Sequence, residues 1–121
     1  MDARSLFFAV ISILMPATPS WAHHSHAMYA PDEVTIVGTV EALQWTNPHI
    51  FIYMVVEDED GQTSNWVFEG GAPFLLLQQG WPEGSPKPGD VISVTGRPLK
   101  VGRGGVLRTV TFADQSEFHY D

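Results

Sequence analysis

The chain has 121 residues, 44% hydrophobic and 17% charged, with no cysteine and a formal net charge of −8. That balance describes a folded globule rather than a disordered tail, and it excludes disulfides, thiolate metal sites and cysteine nucleophiles. The acidic surplus also argues against partners that need a basic face, so neither nucleic acid nor anionic lipid is expected among them.

In chain order the first element is an export signal. Arg4 precedes an apolar run at 6–15, and a proline-containing stretch then ends in small residues, with Ser20 and Ala22 at the −3 and −1 positions of a cleavage site. The apolar run falls well short of the ~20 residues that span a bilayer. Cleavage before His23 would leave 99 residues carrying five basic and thirteen acidic side chains. Residues 1–22 are therefore read as a signal peptide, 23–32 as a histidine-rich arm and 33–121 as one small domain. The expected location is periplasmic or secreted, with no membrane attachment once the signal is gone.

Beyond the arm, apolar and polar residues alternate from 34 to 42, with Val34, Ile36, Val40 and Ala42 on one face of a strand. Gly38 inside it suggests a bulge or bend. Asn47-Pro48 ends the pattern, because proline has no N–H for a ladder. The stretch 49–56 is apolar on both faces and reads as a central strand. Asp60-Gly61 marks a hairpin, and 65–69 is the third strand. Gly70-Gly71-Ala72-Pro73 leads into a short helix over 73–80, bracketed by proline at its start and glycine past its end. A Pro/Gly loop at 82–89 precedes the fourth strand at 90–96. Residues 97–105 form a long turn, and a fifth strand at 106–112 buries Val106, Val110 and Phe112. Three strands, a short helix and two more strands match a five-stranded Greek-key barrel of the OB type, with a small β-sandwich as the alternative.

Several segments resemble a family of small exported bacterial proteins classed only as a domain of unknown function. They are Ala22-His23-His24-Ser25, Trp45-Thr46-Asn47-Pro48-His49, Trp66-Val67-Phe68-Glu69-Gly70-Gly71, Gly80-Trp81, and Lys87-Pro88-Gly89-Asp90 onward to Gly96. The resemblance implies an exported location and a small β-barrel, and it implies no activity. It also marks His26 as a departure, since the family pattern has an aromatic residue there.

Chemistry concentrates in the histidines. A terminal amine and an imidazole both release protons readily near neutral pH, so a processed His23 would chelate a metal through amine and ring together. His24 and His49 would complete a nitrogen set that suits copper, with Glu69 supporting His49 from behind; zinc is the less favoured metal. The competing reading takes the arm as a frayed terminus and His49 as a cap on the Asn-Pro turn. Gly70 and Gly71 would either offer N–H groups to an anion or simply ease the turn into the helix. The acidic run 57–60 lacks the ligand spacing of a calcium loop and reads as a solvated hairpin tip. Trp45, Trp66, Trp81, Phe51 and Tyr53 are core or an aromatic binding face. No nucleophile motif is present, so the chain is not read as an enzyme. Two functions remain: an exported barrel that binds copper, and a metal-free module for a small molecule or another exported protein.

Overall fold

Inward and outward side chains alternate along six strands, which the computed structural model places among residues 26–120. The signal segment, His23 and His24 lie outside the described residues. A single 3-10 turn, His26–Met28, leads into β1 (Val34–Gln44), β2 (Phe51–Glu57), β3 (Thr63–Glu69), α1 (Pro73–Gln78), β4 (Val91–Pro98), β5 (Gly104–Phe112) and β6 (Glu117–His119). The sheet order is β3-β2-β1-β4-β5-β6, and a further parallel pairing of β3 with β5 closes five strands on themselves. This is the OB-type barrel that the element order suggests. One continuous closed sheet replaces the two facing sheets of the alternative sandwich.

Closure depends on Gly104 and Gly105. A Cβ on Gly104 would collide with the carbonyl of Val67 on β3, and one on Gly105 with the carbonyl of Arg97 on β4. Both residues read as turn from sequence, yet they open β5, because only a bare backbone lets that strand lie against both neighbours.

Inside the barrel, Val40, Ile50, Ile52, Met54, Phe68, Ile92, Val94, Leu107 and Val110 are buried, while Leu76 of α1 and the neighbouring Trp81 join the same core. Each such large side chain stabilises the fold by roughly 1.5–3 kcal/mol relative to exposure. Phe68, with no exposed surface, should cost about 3–5 kcal/mol on truncation to alanine, as measured by thermal or urea unfolding.

Two departures from simple alternation have local causes. A bulge between Val40 and Ala42 in the β1–β2 register turns Ala42 outward and Leu43 inward. It sits there and not at Gly38, where the missing side chain lets the Val55 carbonyl approach closely. A second irregularity, opposite Thr95 and Gly96, explains why Leu107 and Val110 are the buried pair of β5. Val106 and Phe112 are only half-buried.

Helix α1 has Pro73 in its first turn and no side-chain cap. It ends with Trp81 N–H donating to the Leu76 carbonyl (2.9 Å) and Gly80 N–H to that of Leu77 (3.1 Å). Gly80 has φ +88°, and the pair of bonds is the Schellman closure that glycine permits. The Trp81 indole then donates to the His119 carbonyl at 2.9 Å and packs 5.9 Å from Phe118. That tie holds β6, a strand whose three residues carry too little pattern to be read from sequence.

Candidate functional site

The period of two along β2 brings the candidate residues together. Ile50, Ile52 and Met54 point inward, so His49, Phe51 and Tyr53 share the outer face. Phe51 is the direct partner of Glu69 across the ladder, and His49 is its diagonal neighbour. The ladder continues past β2, with Ile50 N–H bonded to the Gly71 carbonyl (3.0 Å) and Gly70 N–H to the Ile50 carbonyl (2.9 Å). His49 thus follows the cis Asn47–Pro48 bond as an ordered residue at the barrel rim.

His49 Nδ1 lies 2.5 Å from Glu69 Oε1, with the two side chains 46% and 31% exposed. An ionised carboxylate only accepts, so Nδ1 carries the proton and donates it. In the neutral ring the lone pair then sits on Nε2, which has no hydrogen-bond partner among the described residues. The other carboxylate oxygen, Oε2, accepts from the Tyr29 hydroxyl at 3.3 Å. Burial pushes the Tyr29 phenol above its ordinary value of 10.0, and the negative charge and hydrogen bond of Glu69 push it further in the same direction.

Tyr29 escaped the sequence reading because nothing local marks it. It reaches Glu69 because the arm is stitched to the β4–β5 side of the barrel. Tyr29 bridges Leu99, Lys100 N–H donates to the Met28 carbonyl (2.9 Å), and Ala30 N–H to that of Pro98 (2.8 Å). Arg97 Nε also donates to the Ala30 carbonyl at 2.9 Å. Between the arm and the barrel lies a hollow of about 190 Å³, walled by Met28, Tyr29, Phe51, Glu69 and Leu99 among others.

The remaining candidates divide. His119 is on β6, where Thr109 Oγ1 lies 2.9 Å from its Nδ1 and Glu117 is its ion-pair neighbour, and no hydrogen bond joins it to Glu69. Among the described residues no group of three His, Asp or Glu side chains is placed to hold a metal, so His49 would need ligands from the arm. Gly70 offers no N–H to an anion, since Ile50 takes it. Neither Gly70 nor Gly71 has positive φ, so easing the turn is not their role. Their missing side chains make room for Ile50 and Leu107 above Gly70 and for the Tyr120 ring above Gly71. Trp81 is core, Trp45 and Trp66 pack half-buried against it, and Phe51 and Tyr53 remain on the outer face.

A family model matches residues 10–108, most of the chain. The chain belongs to DUF6152, a family of unknown function. No curated protein matches its sequence. Among solved structures it is similar to the mitochondrial single-stranded DNA-binding protein Rim1 of S. cerevisiae. The TM-score is 0.52 at 12% identity, over 68% of this chain and 93% of that one, a likeness of fold.

That likeness corrects the exclusion of nucleic acid drawn from net charge. A protein built on this barrel binds single-stranded DNA, and a whole-chain charge says little about one face. Arg97, Lys100, Arg103 and Arg108 fall on the end of β4, the following loop and β5, whereas Lys87 precedes β4. No helix among the described residues is long and apolar enough to cross a membrane.

Proposed function

We propose that the protein is an exported, periplasmic or secreted barrel that binds a transition metal, copper in preference to zinc, at His49 together with the histidines of the arm. The observation that carries this reading is the shared carboxylate of Glu69. One oxygen holds His49 through Nδ1 and leaves Nε2 unpartnered, the arrangement carboxylates commonly impose on metal-binding imidazoles. The other holds Tyr29, which anchors the arm at the same place. His24 stands two residues before the 3-10 turn His26–Met28 and His23 three, so the lead-in ahead of that turn spans about 7–11 Å when extended, the length available for a return towards His49. A free amine at His23, its ring, His24 and His49 would make a nitrogen-rich set suited to copper(II) above zinc. Glu69 would support the site without ligating.

The test is copper(II) and zinc titration of protein recovered from the exported fraction, its first residue verified by mass spectrometry. About one copper(II) should bind, more tightly than zinc. If adding a residue ahead of His23, or replacing His49 with alanine, leaves copper affinity unchanged, the site is wrong.

A second reading, single-stranded nucleic acid along the outer face of β2 and β3, is favoured by the position of Arg103. Its carbonyl accepts from Val67 N–H, and Val67 faces the 37%-exposed Tyr53 across the ladder. Aromatic rings beside cations are what sequence-tolerant strand binding uses. Binding of an oligodeoxynucleotide that weakens with salt and with Tyr53→Ala would establish it; no binding at low salt would remove it.

A further inference from the structure

We infer that the hollow between the arm and the barrel binds a small organic ammonium ion, a protonated amine on an apolar body the size of a benzene ring. The site lies wholly within the described residues and does not rest on the copper reading. Its volume is about 190 Å³, and Met28, Phe51, Val67 and Leu99 give it apolar walls. Apolar cavities of about 150 Å³ take up benzene, so a body of that size fits.

Charge decides the class of ligand. The polar side chains on the wall are those of Glu69 and Tyr29, whose hydroxyl and carboxylate oxygens lie 3.3 Å apart. Glu69 accepts one bond from Tyr29 and one from His49, so roughly half of the acceptor positions of its carboxylate stay open. Among the described residues no Lys or Arg pairs with Glu69. Its ion-pair partner is His49, and with that ring neutral the pair keeps one negative charge. A carboxylate on an apolar wall repels an anion and gives a neutral body only a weak bond. An ammonium N–H bonds to it with charge assistance. The rings of Tyr29 and Phe51 line the same hollow and favour a cation further.

The arm side of the hollow is already in place. Lys100 N–H holds the Met28 carbonyl at 2.9 Å, and Ala30 N–H holds that of Pro98 at 2.8 Å. Binding therefore orders little backbone. The Met28 side chain, 56% exposed, is free to adjust to the body it covers.

The test is amide NMR of the exported protein, stripped of metal and kept in chelator, titrated with benzylamine, benzyl alcohol and benzoate near neutral pH. Benzylamine should bind saturably and shift the amides of Met28, Tyr29, Val67 and Gly105, with the other two probes at least about tenfold weaker. Glu69→Gln should weaken benzylamine at least about tenfold, and Val67→Phe, which fills the hollow and keeps the carboxylate, should do the same. A wild-type Tm shows that each variant is folded. Equal binding of the three probes, or benzylamine shifts confined to other residues, overturns the inference. So does Val67→Phe binding benzylamine as wild type does, even if Glu69→Gln fails to fold. Because the chelator removes metal, neither result bears on copper binding through His49.

Discussion

The two ends of the β2–β3 hairpin differ in how their carboxylates are used: four crowd the closed end, and one at the open end ties distant segments together. At the closed end, Glu57, Asp58, Glu59 and Asp60 stand exposed. Asp58 Oδ1 is engaged by its own turn, accepting from the N–H groups of Asp60 (2.9 Å) and Gln62 (2.8 Å). Gly61 completes that turn at φ +78°, a conformation glycine adopts without strain. At the open end the single carboxylate of Glu69 joins three segments far apart in sequence: the arm through Tyr29, the β1–β2 connection through His49, and β3 itself. Carboxylate density is therefore a poor guide to a site. Convergence of partners from distant segments is the better one.

The sharpest test of this contrast is charge removal at each end. Glu69→Gln keeps the shape but loses the ionised acceptor, and should weaken copper(II) binding by about 10–100-fold, as loss of an orienting partner usually does. His49→Ala should weaken it further still. The double change Glu57→Gln with Glu59→Gln should leave affinity within about twofold, since screened surface charges act weakly over distance. A tip mutant that matched Glu69→Gln in the same titration would break the comparison.

Stability should show the reverse pattern at the tip. Asp58→Ala removes two hydrogen bonds from a solvated turn and should cost about 1 kcal/mol in urea unfolding without touching metal affinity. Loss of copper binding in that variant would mean that the two ends communicate through the hairpin.

A smaller effect concerns Tyr29. Its phenol is held above the ordinary value of 10.0 by burial and by Glu69, so the folded protein keeps a proton that the unfolded chain releases near pH 10. The stability this contributes is complete below pH 10 and is lost as pH rises through the folded value. Tyr29→Phe should therefore flatten the alkaline decline of Tm above pH 10, and it should weaken copper(II) binding less than Glu69→Gln does. An unchanged alkaline decline would show that Tyr29 is not the titrating group.

The smallest effect is at the β5–β6 turn, where Asp114 accepts from both the hydroxyl (2.5 Å) and the N–H (2.9 Å) of Ser116. These bonds, the hydroxyl foremost, hold its carboxyl below the ordinary 3.8, with desolvation opposing. Their support is present above pH 3.8 and lost as pH falls through the folded value. Asp114→Ala should remove only that slight acid dependence from a pH–Tm series.

Read along one strand at a time, the sequence already contains the barrel. Alternation in β1 and β4, the Asp-Gly hairpin and the proline-to-glycine brackets of α1 are local signals, because each reflects how a few neighbouring residues meet water or the core. The pairing of His49 with Glu69 was also within reach, since a central strand followed by a hairpin puts residues near its start beside the end of the next strand. Local pattern does not extend to events that join distant segments. The sequence marks Gly104 and Gly105 as turn, and only their contact with Val67 and Arg97 makes them the seam of the barrel. Tyr29 has no motif around it, and its place depends on the arm bridging Leu99 some seventy residues away. Composition and period thus marked the core face of most strands, while the irregularities at Ala42 and at Leu107 came from pairing between strands. Which outward-facing residues meet one another was decided only when closure of the barrel set the distances between strands remote in the chain.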